Sequence, residues 1–263
     1  MTNRIRSRLD KLGKNKLLVP FFTAGYPDMK TSFEFVRVAA DNGADFVELG
    51  MPFSDPLADG PLIQHSSHVA LQQGTNLDQI LDGVSQLRKH TNVPIILMGY
   101  YNPIWSYGEE RFLRDASAAG VDGLIIPDLP VDEAHTYSAA IRKYDLSAIF
   151  LVAPTSTPDR IRLIDRRSTD FIYAVTITGV TGARTQFDTD TDRYLGDLAQ
   201  RLKKPFVAGF GVSSPESARR LCHNANGVVI GSALVSIIRE ARSKPASLQA
   251  VGGFLRRIRS ALD

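Results

Sequence analysis

Two carboxylates interrupt an apolar pattern within FVELGMPFSDPLADGPLIQ, residues Phe46 to Gln64, and they are the side chains best suited to proton chemistry. Glu48 lies between Val47 and Leu49 in what reads as a short buried strand, where a charge is costly unless it is paired or used. Strand alternation puts Phe46, Glu48 and Gly50 on one side and Val47 and Leu49 on the other. Asp59 follows in a loop stiffened by Pro52, Pro56 and Pro61, so its carboxylate is held in place. Two carboxylates in unlike surroundings can divide acid and base work, the sheltered one exchanging protons and the wetter one staying ionised. Each also has an ordinary reading: Glu48 as one half of a buried ion pair, Asp59 as the cap of a helix beginning near Leu62. Spacing leaves both open.

A second set of residues suits an anion. Gly179-Val180-Thr181-Gly182, Gly209-Phe210-Gly211 and Ile230-Gly231-Ser232 each follow a predicted strand, and glycine lets backbone N–H groups approach a phosphate closely. Tight turns use the same residues, so the signal lies in their shared position. His65 and His68 have metal-ligand spacing without an evident third ligand, which favours a helix surface. Tyr100, Tyr101, Asn102, Pro103 and Trp105 form an aromatic loop that could line a ligand pocket or lie under another subunit.

These residues need elements to position them. Short Val/Ile/Leu/Phe-rich runs predict eight strands: Leu17 to Thr23, Phe46 to Leu49, Pro94 to Met98, Gly123 to Ile126, Ala148 to Val152, Phe171 to Val175, Pro205 to Ala208 and Gly227 to Ile230. Helical patterns alternate with them, including Val131 to Tyr144 and Thr191 to Leu202, and Ile5 to Leu12 forms an extra leading helix. Strands so continuously apolar are buried on both faces, as in a parallel sheet. A single (β/α)8 TIM barrel spanning 1–263 fits the 263 residues, and Glu48 then faces its interior. An open doubly wound sheet is the rival. No GxGxxG follows the first strand, and no linker divides the chain.

Composition narrows the function. No run is apolar for long enough to cross a membrane, and the expectation is a cytoplasmic protein. Cys222 is the only cysteine and reads as helix packing. The first sixteen residues carry +5 and the last twenty-five +4 of a net +3, leaving −6 in between. Arg4, Arg6, Arg8 and Lys11 alternate with Ile5, Leu9 and Leu12 at helical spacing, so a solvated helix face is expected rather than a nucleic-acid arm.

The motifs ELGMPFSDPLADGPLIQ, YYNP, PDLP, TGVTGAR, GFGVSSPE and IGSALV, in this order, closely resemble the tryptophan synthase alpha subunit family along the whole chain. The first is long and contains both carboxylates; the glycine motifs are weaker singly. The resemblance implies a lyase of tryptophan biosynthesis that cleaves indole-3-glycerol phosphate to indole and glyceraldehyde 3-phosphate without a cofactor of its own. It implies Glu48 as general acid/base and Asp59 as partner of the indole N–H. It further implies Tyr173 near the reacting centre, Phe21 and Met98 against the indole, and Gly182, Phe210, Gly211, Gly231 and Ser232 around the substrate phosphate. The segment from Thr176 to Phe187 would be a lid, with Thr181 reaching Asp59. A beta subunit carrying pyridoxal phosphate would dock on Pro52, Asp55, Tyr101, Asn102 and Pro103 in an alpha2beta2 heterotetramer. The sequence departs from some members at Ile177, where they carry arginine. The rivals are another phosphate-binding barrel enzyme and a barrel kept only as activator of its partner.

Overall fold

The computed structural model describes residues 3–13, 15–176, 184–209 and 211–263. Nine parallel strands are present among them: β1 Leu17–Thr23, β2 Val47–Gly50, β3 Ile95–Met98, β4 Gly123–Ile125, β5 Ser147–Ile149, β6 Leu151–Val152, β7 Ile172–Val175, β8 Phe206–Gly209 and β9 Gly227–Ile230. Their order across the sheet is β5-β4-β3-β2-β1-β9-β8-β7-β6. The two outermost strands, β5 and β6, are separated in the chain only by Phe150. A sheet whose two edges are joined by one residue has curled back on itself, which makes a barrel and excludes the open doubly wound arrangement.

The split corrects the expected strand Ala148 to Val152. The Phe150 N–H leaves the ladder for the Ser168 hydroxyl at 3.4 Å, while the Phe150 carbonyl accepts from the Tyr173 N–H at 3.1 Å. One residue thus serves both edges.

Twelve helices accompany the strands: α1 Arg4–Asp10, α2 Met29–Asp41, α3 Pro61–Gln72, α4 Leu77–Leu87, α5 Tyr101–Tyr107, α6 Glu109–Ala119, α7 His135–Lys143, α8 Pro158–Arg167, α9 Arg184–Arg201, α10 Pro215–Leu221, α11 Ser232–Glu240 and α12 Lys244–Leu262. Three differ from expectation. The aromatic stretch after β3 is a helix, α5: Pro103 falls in its first turn, where the missing N–H has no intrahelical acceptor to lose. Helix α7 starts at His135 rather than Val131, because the N–H groups of Glu133 and Ala134 turn back onto the Pro130 carbonyl. Helix α9 begins seven residues before Thr191, so Arg184 to Phe187 belong to it and not to a lid loop.

Strand alternation divides the apolar residues into two layers. Val47 and Leu49 pack outward with Phe35, Val36 and Leu97 under the helices. Phe46 points inward, stacked on Phe171 with ring centroids 5.4 Å apart, among Val19, Phe21, Ile96, Ile125, Tyr173, Val207 and Val229. The interior is therefore packed and not a channel.

Helix α1 closes the N-terminal end of the barrel by burying Ile5 completely in the inner layer. Arg6, Arg8 and Lys11 are exposed, as a solvated helix face requires, and three of the arginines are paired as well. Arg4 reaches Asp122 at 3.0 Å, Arg6 reaches Asp170 at 3.1 Å, and Arg8 forks onto Asp45. Asp45 and Asp122 are buried and each precedes a strand, where each carboxylate also caps a neighbouring strand, at the N–H groups of Leu18 and Ile95 respectively. Buried Cys222 caps the end of α10, and burial pushes its thiol up to about 11. No helix among the described residues is long and apolar enough to cross a membrane.

Candidate active site

The sheet delivers Glu48 to the interior through β2, where Phe21 on β1 and Ile96 on β3 are its register neighbours. The residue is wholly buried, and neither carboxylate oxygen has a hydrogen-bond partner among the described residues. Among them no ion pair, the ordinary reading for a buried acid, is present. Burial alone drives its proton affinity well above the usual carboxylate range.

Asp59 ends a turn in which its N–H donates to the Pro56 carbonyl at 3.0 Å. It does not cap α3, whose N-cap is Gly60 without a side-chain bond. Burial raises its pKa to about 6, opposed by a hydrogen bond from Tyr100. Asp59 is the less buried of the two carboxylates, as expected of the wetter one, and with a pKa of about 6 it is ionised at neutral pH.

A cavity of about 470 Å³ opens at the C-terminal ends of the strands, with Phe21, Asp59, Met98, Tyr173, Gly211, Gly231 and Ser232 on its wall. Seven of the sequence-derived candidates therefore meet at one place. Glu48 does not line this wall, but Tyr173 does, and the phenol of Tyr173 is pushed well up, chiefly by burial and further by the neighbouring carboxyl groups of Glu48 and Asp59. Tyr173 thus lies within electrostatic reach of both carboxylates. Thr181, Gly182 and Phe210 lie outside the described residues, as do Gly179 and Ile177.

Two glycines give the aromatic wall its room. A Cβ on Gly50 would come within 2.5 Å of the Phe21 ring, and one on Gly209 within 2.2 Å of the Tyr173 hydroxyl. Gly209 therefore serves Tyr173, where the sequence suggested phosphate. Gly211 has φ +82°, a backbone conformation other residues adopt only under strain.

One part of the wall suits an anion. Gly231 is the N-cap of α11 and Ser232 opens it; the Leu234 N–H donates back to the Gly231 carbonyl, so the N–H groups of Ser232 and Ala233 are those without an intrahelical acceptor. Ser213 and Ser236 add hydroxyls to the wall, and the described residues lining it include no Lys, Arg or His. An anion here would be held by N–H dipoles and hydroxyls. Phe21, Leu62, Ile63, Met98 and Val229 make part of the wall apolar, which suits a flat ring. Leu62, Ile63, Val212, Ser213, Val229, Ala233 and Ser236 were not among the candidates; Ser236 lies one helical turn beyond Ser232, a spacing that was available. His65 and His68 are exposed on α3, and no group of three metal-ligating side chains occurs among the described residues.

The proposed partner residues occupy the same face. Asp55 and Asn102 are exposed, Tyr101 and Pro103 half-buried and Pro52 buried. Pro52 and Pro103 share a groove of about 400 Å³ with Phe53, Leu77 and Tyr107.

Comparison with known proteins agrees with this geometry. The family model of the tryptophan synthase alpha chain matches residues 8–260. A tryptophan synthase alpha chain from Caldanaerobacter subterraneus is 44% identical over 262 residues, covering 99% of this chain and 100% of that protein. Tryptophan synthase subunit alpha from Legionella pneumophila superposes with a TM-score of 0.92 at 36% identity, covering 100% of this chain and 99% of the other. A chain from the tryptophan synthase complex of Pyrococcus furiosus gives 0.82 at 36% identity, covering 93% and 98%. The chain belongs to the tryptophan synthase alpha chain family, and as such it is a carbon–carbon lyase of tryptophan biosynthesis that cleaves indole-3-glycerol phosphate.

Proposed function

We propose that the 470 Å³ cavity is where indole-3-glycerol phosphate is cleaved, with Glu48 and Asp59 as the catalytic pair. The observation that carries this reading is a wholly buried carboxyl without any hydrogen-bond partner among the described residues, set beside a cavity whose wall holds the second carboxylate. In a stable fold such a group is a cost with no structural return.

The apolar side takes the indole, Phe21 and Met98 against its ring, and the phosphate lies at Gly211, Gly231 and Ser232, with Gly182 and Phe210 completing that end. Neutral Glu48 delivers a proton to indole C3. Positive charge then develops on the ring nitrogen, whose N–H meets the Asp59 carboxylate. The bond from C3 to the glycerol chain breaks, its electrons return to the ring, and the hydroxyl on the departing carbon gives its proton to the Glu48 carboxylate as an aldehyde forms. The proton count balances, and Glu48 ends neutral again. Tyr173 packs against the reacting centre, and Thr181 reaches Asp59 when substrate is bound. The steps call on no cofactor in this chain. Contacts to the phosphate, remote from the reacting bond, contribute binding energy to the cleavage.

The partner is a beta subunit carrying pyridoxal phosphate, in an alpha2beta2 heterotetramer in the cytoplasm, with residues 1–263 acting as one domain. It docks on Pro52, Asp55, Tyr101, Asn102 and Pro103. The two large apolar side chains left most exposed among the described residues, Leu57 at 94% and Trp105 at 65%, lie in this loop and in α5, which supports a covered face there. The test is release of indole from indole-3-glycerol phosphate, followed spectroscopically with and without a beta subunit. Wild-type protein that binds the ester and releases no indole under either condition would overturn the reading.

A further inference from the structure

Strand β7 ends at Val175, whose register partner is Gly209, the last residue of β8. The next residue, Thr176, is buried and adds a final rung to the ladder, its N–H donating to the Gly209 carbonyl at 3.0 Å. Its hydroxyl donates to the same carbonyl at 2.8 Å. Two donors from one residue thus fix the peptide through which β8 runs into Gly209-Phe210-Gly211, the stretch that leads to the cavity wall. At the far end of this loop the N–H groups of Ser213 and Ser214 both donate to the Ser217 hydroxyl at 3.1 Å, within the capping box of α10. Between these two anchors the N–H groups of Gly211 and Val212 meet no acceptor among the described residues, although Val212 is buried. A buried N–H is rarely left without a partner, and both residues line the cavity.

A stretch with two glycines in three residues has many conformations of nearly equal energy, and ordering it on a ligand costs binding free energy unless the protein orders it first. Gly209 has no side chain to hold its carbonyl direction, since the Tyr173 hydroxyl occupies the place a Cβ would take. The clamp must therefore come from outside. Valine has the shape of threonine and would fill the same buried position at a strand end; only the hydroxyl makes the second bond. We propose that Thr176 is a positioning residue for the phosphate end of the cavity: its hydroxyl holds the Gly209 carbonyl, so that the loop is set beforehand with the Gly211 and Val212 N–H groups ready for the substrate phosphate. The inference rests on the placement of the phosphate given above. It also separates Thr176 from the lid that was expected to begin there, since its N–H and its hydroxyl are both engaged on β8.

The test is Thr176→Val, which keeps the volume and the backbone N–H and removes only the hydroxyl, beside Thr176→Ser, which keeps the hydroxyl. KM and kcat for indole-3-glycerol phosphate are measured together with the inhibition constants of inorganic phosphate and of indole, which carries no phosphate. In Thr176→Val, KM and the phosphate constant should rise together by roughly fivefold, the size of one hydrogen bond, with kcat within about twofold of wild type and the indole constant unchanged. Thr176→Ser should stay close to wild type. An unchanged phosphate constant in Thr176→Val, an equal loss of affinity for phosphate and indole, or a Thr176→Ser protein as impaired as Thr176→Val would overturn the proposal. Gly211→Val separates the two readings. If it leaves the phosphate constant untouched, the placement of the phosphate falls and this inference with it, whereas an impaired Gly211→Val beside a normal Thr176→Val removes only the role of Thr176.

Discussion

Asp59→Asn should abolish most of the lyase activity and yet make the protein more stable, and only above a defined pH. Burial holds the Asp59 carboxyl at about 6 against an ordinary 3.8, so the native state binds this proton more tightly than the unfolded chain does. Below about pH 4 both states are protonated and the group contributes nothing. As pH rises through the window between 3.8 and about 6, ionisation costs the native state more than the unfolded one, and stability is lost; above it the loss is constant. A shift of about two units corresponds to ~3 kcal/mol, which partial exposure reduces to ~2 kcal/mol. Asparagine carries no charge, so the variant escapes that cost. For a chain of this length the gain amounts to roughly 4 °C in Tm. Urea unfolding followed by circular dichroism, for both proteins in steps from pH 4.5 to 8.5, cancels every other titrating group. A difference that is roughly a third of its final size at pH 4.5 and grows to a plateau by about pH 7 is expected. A constant offset across the range, or a variant less stable at pH 8, would refute the reasoning.

Glu48→Gln keeps the shape and removes the acid; turnover should fall by roughly 10²-fold or more with the circular dichroism spectrum unchanged, and near-normal turnover would defeat the proton-transfer role. Gly211→Val should raise KM for the phosphate ester and weaken competition by inorganic phosphate, since it combines a strained φ of +82° with a side chain on the cavity wall; inhibition constants for phosphate measure it. Asp45→Ala removes a buried acceptor shared by Arg8, Arg259 and the Leu18 N–H, and should destabilise the fold by about 3–5 kcal/mol in urea while leaving kcat per folded molecule unchanged.

Legibility followed the range of the interaction. Strands β1 and β9 match the sequence reading residue for residue, because Leu17 to Thr23 and Gly227 to Ile230 are apolar runs closed by local turn residues. Glu48 could be read as inward-facing from alternation with Val47 and Leu49 alone. The break between β5 and β6 depends on the Ser168 hydroxyl, eighteen positions from Phe150, and no local pattern announces it. The ion pairs of Arg4 and Arg6 could not be read because Asp122 and Asp170 are more than a hundred residues away. Helix α5 is the local failure, since a proline in a run of aromatics resembles a loop unless its place in the first turn is known.

The plug formed by α1 has a consequence for how the chain can fold. The barrel is completed by hydrogen bonds between β1 and β9, the two ends of the strand sequence, and α1 is held by aspartates that precede β2, β4 and β7. Such a pattern has high contact order, and the loop-closure entropy it demands is lost before the rewarding contacts form. Helix α1, made before the strands it docks on, is thus among the last elements to find its seat. Until β9 is made, β1 has an unpaired edge, and until Asp170 is in place Ile5 has no complete socket. Partly made or partly refolded chains therefore present an open strand edge and an apolar helix together, a combination that favours pairing with another chain. Refolding yield should accordingly fall with protein concentration more steeply than the stability of the finished barrel would suggest.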